Sequence, residues 1–222
     1  MGAEDRKKRE AARAALDEVE PGSIIGVGTG STTNHFIDLL AKARDRIDGA
    51  VASSEATASR LVEAGVRLVD LNEVERLPLY VDGADEATRE GFLIKGGGGA
   101  LTREKIVAAA SDRFLCVIHD AKLVKRLGAF ALPVEVIPIA IGLVARELRK
   151  MGGDPTTRDG LVTDNGNRIL DVRGFDFADP VDLEGRLNQI PGLVANGLFC
   201  RRPADRLLVA GGDGVERFDT RR

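Results

Sequence analysis

Two spacings of apolar residues alternate along the chain, one typical of amphipathic helices and one of buried strands. Apolar residues at positions 12, 15, 16 and 19 follow a helical repeat, which predicts a helix over 4–19 that ends at Pro21-Gly22. A similar repeat at 36, 39, 40, 43 and 47 predicts a second helix. Short apolar runs bounded by turn residues predict strands. The predicted strands lie at 23–28, 50–53, 66–71, 77–81, 92–95 and 113–118, with two further helices at 55–65 and 101–111.

Strands that are apolar throughout and alternate with helices are typical of parallel sheets covered on both faces. The fold class predicted from this pattern is therefore α/β, with a Rossmann-like, open and mostly parallel sheet. We expect a second, smaller α+β domain, because the alternation stops near Gly128.

The segment from 128 to 201 has helices and strands of antiparallel style. It contains the apolar run LPVEVIPIA, and residues 206–218 beyond it resemble one more strand that returns to the first sheet. The predicted division is an α/β catalytic domain of residues 1–127 plus 202–222 and a small α+β domain of residues 128–201. Inside the small domain we expect a helix at 141–153, a turn-rich stretch at 153–160, a hairpin around 164–167, a helix at 180–188 and a strand at 193–199.

Composition and charge narrow the class of protein. The chain has 222 residues, of which 43% are hydrophobic and 30% charged, and its net charge is −3. Without a clustered basic excess, no nucleic-acid partner is expected, and the N-terminal RKKRE is interpreted as a solvated helix face. Apolar runs fall short of the roughly 18 residues that span a bilayer, and the N-terminus lacks the apolar core of a signal peptide. We therefore expect no membrane partner and a cytoplasmic location.

The two cysteines point the same way. Cys116 lies in the apolar run FLCVI, where burial is expected, and Cys200 lies far along the chain. Without a CxxC pair or a His/Cys cluster, the sequence favours free thiols in a reducing compartment over a disulfide or a metal site.

Candidate chemistry is concentrated where three predicted strands end. The loops GVGTGSTT (26–33), YVDGADEA (80–87) and IKGGGGALTRE (94–104) each combine glycine with charged or hydroxyl residues. In open α/β sheets, ligands bind outside the carboxyl ends of the strands. We expect the three loops to form one pocket.

The first loop is suited to an anion, because a glycine-rich turn before a helix presents backbone N–H groups at the positive end of the helix dipole. It lacks the lysine of a Walker loop, and Ser31 stands where the dinucleotide pattern GxGxxG has its third glycine. The alternative is that the serine merely caps a helix.

The second loop carries two carboxylates, Asp82 and Asp85, at a strand end. Such a pair could hold sugar hydroxyls, bind a divalent ion or share protons. The alternative is a helical first turn in which acids favour the dipole.

The third loop places Lys95 before four glycines and Glu104 after them. We expect Lys95 at the pocket mouth, and glycines that let backbone approach a small polar ligand. A lysine and a glutamate around a sugar phosphate suit proton abstraction next to a carbonyl. The alternative is that Thr102 caps a helix and Glu104 is an ordinary first-turn acid. We expect His35 and His119 to be structural or solvent-facing.

The ordered set GVGTGST, YVDGADE, IKGGGGALTREK, LPVEVIP and IPGLVANGLF resembles the type A ribose-5-phosphate isomerases over almost the whole chain. The resemblance implies reversible interconversion of ribose 5-phosphate and ribulose 5-phosphate through a cis-enediolate, in the non-oxidative pentose phosphate pathway. It also implies a homodimer or homotetramer with contacts from the small domain, and no metal or organic cofactor.

Site residues follow from the same resemblance. It implies that Glu104 is the general base that moves a proton between C1 and C2. Asp82, Asp85 and Lys95 would complete the catalytic set, with the two acids engaging sugar hydroxyls and assisting ring opening. The implied substrate-binding residues are Thr29, Gly30, Ser31, Thr32, Gly83, Ala84, Gly96, Gly97, Gly98 and Lys122, with Lys8 as a further phosphate contact.

Three other functions fit the sequence less well than the isomerase. A sugar-phosphate sensor domain of a transcription regulator would be expected to have lost the Lys95 and Glu104 pair, which is present here. An amino-sugar-phosphate deaminase favours a histidine beside the acids, and the three loops contain none. A nicotinamide oxidoreductase is disfavoured by the broken GxGxxG pattern.

Overall fold

The computed structural model of the chain describes residues 2–220. Its helices are α1 (Ala3–Leu16), α2 (Ser31–Ala41), α3 (Glu55–Glu63), α4 (Leu101–Ala110), α5 (Ile141–Lys150) and α6 (Pro180–Leu187). Its strands are β1 (Ser23–Val27), β2 (Ile47–Ala52), β3 (Leu77–Asp82), β4 (Glu86–Ala87), β5 (Leu93–Ile94), β6 (Ser111–His119), β7 (Leu132–Val136), β8 (Asp154–Thr157), β9 (Arg168–Arg173), β10 (Leu193–Asn196), β11 (Leu198–Phe199), β12 (Arg206–Gly211) and β13 (Gly214–Asp219).

The central sheet has six strands in the order β13-β12-β6-β3-β1-β2. Every neighbouring pair from β12 to β2 is parallel, and only the edge strand β13 is antiparallel to its neighbour. This confirms the predicted α/β class with a mostly parallel sheet. The carboxyl ends of β1, β3 and β6 are adjacent at one edge, and the first two of the predicted loops leave from there.

The strand β6 shows why the central strands lack polar alternation. Its residues Leu115 and Val117 pack with α1 and α2 on one face of the sheet. Phe114, Cys116 and Ile118 pack with α4 on the other face. Because successive side chains point to opposite faces and both faces are covered, every residue from Phe114 to Ile118 is buried. Burial of Cys116 is thus confirmed, and both cysteines are free thiols.

Two smaller sheets accompany the central one. Four antiparallel strands in the order β10-β7-β9-β8 form a sheet covered by α5, and the short strands β11-β5-β4 form a third. The separate antiparallel sheet matches the predicted α+β character of this part of the chain. The domain boundaries at 127/128 and 201/202 remain a prediction. Within residues 2–220, no helix combines the length and apolar character needed to cross a bilayer.

Two elements predicted within residues 34–71 are wrong. The second helix ends at Ala41 instead of continuing to Ile47, which is the first residue of β2 and packs in the core from a strand. Residues 66–71 are not a regular strand. They pair with β2 only around Ala50. The Asp70 side chain then accepts the Asn72 N–H at 2.8 Å and turns the chain away.

Three further differences lie in the second half of the chain. Residues 206–218 form two antiparallel strands, because Gly211 and Gly214 close a tight hairpin. The stretch 153–160 begins as the strand β8, which pairs with β9, and the predicted hairpin around 164–167 is the loop between them. The strand predicted at 193–199 is interrupted at Gly197. The residues before it form β10 in the four-stranded sheet, and the residues after it form β11 in the three-stranded sheet.

Candidate active site

The three loops meet around a single cavity of about 200 Å³. Helix α1 and the segment after β6 close its other side. Fourteen of the fifteen residues that the resemblance implies line it: Lys8, Thr29, Gly30, Ser31, Thr32, Gly83, Ala84, Asp85, Lys95, Gly96, Gly97, Gly98, Glu104 and Lys122. The remaining lining residues are Glu4, Thr33, Ile118 and His119.

Lys95 and Glu104 share the floor of this cavity. The Lys95 Nζ atom lies 3.2 Å from Glu104 Oε2, and both side chains are at least 95% buried. The ammonium also lies 2.7 Å from Asp82 Oδ2 and donates to the Gly83 carbonyl oxygen at 2.6 Å. The prediction that Lys95 stands at the pocket mouth is therefore wrong, because two carboxylates and a carbonyl draw its ammonium inward.

Burial sets the protonation of this pair. It raises the pKa of the Glu104 carboxyl to about 8, because desolvation penalises the anion more than the Lys95 ammonium favours it, and Asp82 adds repulsion. The pKa of Lys95 is also raised, because attraction to Asp82 and Glu104 outweighs the desolvation of its ammonium. A carboxyl that titrates near neutrality is suited to proton transfer.

Asp82 lies beneath the cavity with no exposed surface and does not line it. Its Oδ1 accepts the backbone N–H groups of Gly83 at 2.7 Å and Thr29 at 3.0 Å. Its Oδ2 accepts the Tyr80 hydroxyl at 2.5 Å besides the Lys95 ammonium. Asp82 thus ties the first two loops to the lysine, as a fully hydrogen-bonded buried carboxylate.

The first loop wraps closely around Asp82. A side chain at position 28 would place its Cβ 2.0 Å from the Asp82 carboxylate, so only glycine fits there. The Thr29 hydroxyl is within hydrogen-bonding distance of the hydroxyls of Ser53, Ser54 and Thr57, so it faces α3. Gly30, with φ of +128°, precedes α2. The first-turn N–H groups of α2 are thereby presented at the cavity.

The glycine run of the third loop meets the second loop. Gly96 and Gly99 have φ of +109° and +81°, which only glycine adopts without strain. The Gly97 N–H donates to Asp85 Oδ2 at 2.8 Å, and a Cβ at position 97 would lie 2.7 Å from that carboxylate. Close backbone approach explains the run as expected, although the partner found here is a protein carboxylate.

Basic side chains line the end of the cavity near α1. Lys8 on α1 and Lys122 after β6 both line it, and Glu4 lies 2.6 Å from Lys8 Nζ. His119, the last residue of β6, lies beside them, and burial lowers the pKa of its imidazole. This end can hold an anionic group opposite the α2 N-terminus.

The structure contradicts the alternatives in which the three loops only cap or begin helices. Gly30, and not Ser31, is the N-cap of α2. The DGADE segment runs into the strand β4 instead of a helix. Ala100, and not Thr102, is the N-cap of α4, and the Thr102 hydroxyl donates to Glu135.

The histidine expectation is correct only in part. His35 lies on α2, with its Nε2 atom 2.9 Å from Asp5, away from the cavity, which suits a structural role. His119 instead lines the cavity. His119 stands at the carboxyl end of a central strand, as the three loops do. The same criterion could therefore have identified it from the sequence. Thr33 is the last residue of the first predicted loop (26–33), whereas Glu4 and Ile118 carry no comparable sequence signal.

Within residues 2–220, the histidine, cysteine, aspartate and glutamate side chains form no group of three arranged to hold a metal ion. The carboxylates nearest the cavity are occupied by lysine and backbone donors instead.

Comparison with known proteins identifies the family of the chain. Residues 49–214 match the family model of ribose 5-phosphate isomerase A (phosphoriboisomerase A). The crystal structure of ribose 5-phosphate isomerase A from Neisseria gonorrhoeae is 43% identical, with a TM-score of 0.97 over 100% of both chains. The enzyme from Methanocaldococcus jannaschii is 38% identical, with a TM-score of 0.92 over 98% of this chain and 100% of that one.

A third structure was solved with a ligand. It is a D-ribose-5-phosphate isomerase in complex with phospho-erythronic acid, 36% identical, with a TM-score of 0.93 over 99% of this chain and 100% of that one. Matches of this identity and coverage extend to the whole chain, including all three loops. The chain therefore belongs to the ribose 5-phosphate isomerase A family and is an aldose–ketose isomerase.

Proposed function

We propose that this chain interconverts ribose 5-phosphate and ribulose 5-phosphate through a cis-enediolate, with Glu104 as the general base. The observation that carries the proposal is the placement of Lys95 Nζ 3.2 Å from Glu104 Oε2 on the floor of one cavity. A base and a cation that reach the same bound molecule are what proton transfer next to a carbonyl requires.

In the forward direction, the open-chain aldose lies with C1 and C2 over Glu104. The Glu104 carboxylate takes the C2 proton, and the electron pair of that bond shifts until the C1 carbonyl oxygen becomes anionic. The Lys95 ammonium stabilises this oxygen. Glu104 then returns its proton to C1, while the O2 hydroxyl becomes the ketone by giving its proton to O1. Proton and electron counts balance without a redox partner.

Asp82 and Asp85 have different places in this proposal. Asp82, buried beneath the cavity, holds Lys95 and the first loop in position. Asp85 lines the cavity and is the acid available for sugar hydroxyls and ring opening. Its Oδ2 also fixes Gly97, so the same carboxylate orders the third loop.

The pH dependence of turnover follows from the raised pKa of Glu104. The base works only when ionised, so kcat/KM should rise with pH by about tenfold per unit below that pKa and level off above it. With the pKa raised to about 8, the acidic limb should lie well above pH 4.5. The measurement is kcat/KM for ribose 5-phosphate from pH 5 to 9, and a plateau that already begins near pH 5 would contradict the assignment.

The phosphoryl group is proposed to lie at the basic end, between the α2 N-terminus and Lys122, with Lys8 as a further contact. Lys122→Ala should raise KM for ribose 5-phosphate by about tenfold with a smaller change in kcat, because it removes one charge-assisted hydrogen bond far from the reacting carbons. Lys125→Ala is the matched control, since Lys125 is exposed and lies outside the cavity. Equal KM values for the two variants would remove Lys122 from the site.

The direct test is conversion of ribose 5-phosphate by the purified chain, measured with and without EDTA. We propose that no metal or organic cofactor takes part, because the Lys95 ammonium supplies the positive charge that the enediolate needs. Turnover that EDTA abolishes and a divalent ion restores would instead support metal binding at Asp82 and Asp85.

The proposal also includes the oligomeric state, the cellular location and the pathway. We propose a cytoplasmic homodimer or homotetramer of the non-oxidative pentose phosphate pathway, with small-domain contacts between copies. Ile139, Ile137 and Leu143 near the start of α5 support an interface there, since Ile139 is 96% exposed. A solution mass of at least twice 23.7 kDa by light scattering would agree with it.

A further inference from the structure

Within the glycine run, the Gly99 N–H donates to the Gly96 carbonyl oxygen at 2.9 Å, and this bond does not fix the peptide group between Gly97 and Gly98. Gly97 and Gly98 are exposed at the cavity and carry no side chains to anchor them. Glycine also has the widest choice of backbone conformations. If a peptide group here rotated by half a turn, its carbonyl oxygen would replace its N–H at the cavity. A carbonyl dipole facing the enediolate would repel the charge that the site must stabilise.

Arg158, from the small-domain loop after β8, holds these peptides from the side away from the cavity. Its Nη1 donates to the carbonyl oxygens of Gly96 at 3.1 Å and Gly97 at 3.0 Å. Its Nε donates to Asp171 Oδ2 on β9 at 2.8 Å, and its Nη2 to the other oxygen of the same carboxylate. The guanidinium therefore bridges a fixed carboxylate on a strand and two carbonyls of the loop.

The consequence for the loop follows from peptide planarity. In a trans peptide the N–H points opposite to the C=O of the preceding residue. With the Gly96 carbonyl on Arg158, the Gly97 N–H points to the other side, where it donates to Asp85 at 2.8 Å. With the Gly97 carbonyl on Arg158, the Gly98 N–H is directed toward the cavity side as well.

We propose that Arg158 is a positioning residue of the isomerase. It holds the Gly97 N–H on Asp85, directs the Gly98 N–H toward the substrate and keeps the carbonyl oxygens of the glycine run out of the cavity. It acts through the loop and does not line the cavity itself. The role rests on the proposed function, because it assigns a cause to the stabilisation of negative charge at that site. It also makes the Arg158–Asp171 pair of the antiparallel sheet part of the catalytic arrangement.

The test is Arg158→Met, with separate measurement of kcat, KM and the inhibition constant of phospho-erythronic acid, whose carboxylate places negative charge near the reacting carbons. Without the guanidinium, the backbone N–H groups of the glycine run are no longer held in one direction. We therefore expect kcat to fall by about tenfold or more and the inhibition constant to rise, with KM for ribose 5-phosphate changed less. Loss of folded enzyme alone would lower apparent kcat but leave the inhibition constant unchanged. Arg149→Met, at an exposed arginine of α5, is the control and should match the wild type.

If Arg158→Met does not fold, the same measurements are made on Arg158→Gln. Its single amide cannot bond Asp171 and both carbonyl oxygens, so the same changes in kcat and inhibition constant are expected. Unchanged kcat and inhibition constant in the folded variant, with an active wild type, would overturn the role of Arg158 and leave the isomerase intact. An inactive wild type would overturn the proposed function and this role together.

Discussion

Replacing Glu104 with glutamine is expected to lower kcat for ribose 5-phosphate by about 10²–10⁴-fold, the usual contribution of a positioned general base. Glutamine has the size of the protonated glutamic acid, so it should keep the packing against Lys95 while removing the ability to accept a proton from carbon. KM should change little, because the carboxylate is proposed to act on the reacting carbons. The comparison is steady-state kinetics of the variant and the wild type above pH 8.

Glu63→Gln serves as the matched control, since Glu63 is an exposed carboxylate at the end of α3. It should leave kcat unchanged. Near-normal turnover in Glu104→Gln would show that another group moves the proton, and the enediolate route through this residue would be abandoned.

The Glu104→Gln variant is also expected to differ from the wild type in how its unfolding free energy depends on pH. The native pKa of Glu104 is raised from 4.5 to about 8, so between these values the folded state binds more protons than the unfolded state. The wild type therefore loses stability as pH rises through that window, and the glutamine variant does not. The difference in unfolding free energy between variant and wild type should shift in favour of the variant from pH 5 to pH 9, as measured by urea denaturation.

Replacing Lys95 with methionine is expected to abolish measurable activity and to destabilise the fold. The ammonium has two buried carboxylates within 3.2 Å, and its removal leaves the Asp82 carboxylate buried without a cation. Breaking a buried pair in this way costs about 3–5 kcal/mol. Loss of the charge opposite the enediolate oxygen should lower kcat by at least about 10²-fold.

Urea denaturation and turnover measure the two effects separately. Lys42→Met, at an exposed lysine after α2, should change neither. Adding Glu104→Gln to Lys95→Met should change the stability at pH 8 little, because the ammonium lowers the pKa of Glu104 and without it that carboxyl is already protonated and uncharged. A Lys95→Met variant as stable as the wild type would mean that the cation does not offset buried negative charge.

Much of the site was predictable because it lies where short-range sequence signals coincide with a rule about sheets. Glycine next to acidic or hydroxyl residues at the ends of apolar strands indicated three loops, and the strand-end rule indicated one cavity. The positions of these strand ends depend neither on the length of the helices nor on the register of the strands. The errors at 36–47 and 66–71 therefore left the predicted cavity unchanged.

Burial of individual side chains was harder to predict. Lys95 was expected at the mouth because a lysine at a strand end is usually solvated, and Asp82 was expected to contact sugar. Both lie deeper, because each satisfies the other's charge at 2.7 Å and because Gly28 leaves room for the carboxylate. Such pairing is a property of residues 13 positions apart, and apolar periodicity carries no information about it.

The α/β class, the glycine-rich loops and the residue types of the candidate site could be predicted from the sequence, because apolar spacing and glycine conformation act over a few neighbouring residues. Three features became known only from the packed chain: Lys95 lies buried between two carboxylates, His119 lines the cavity, and Arg158 reaches the glycine run from the loop after β8. These contacts join residues distant in the chain. Their energies depend on burial and distance, which are set when the sheets and helices pack.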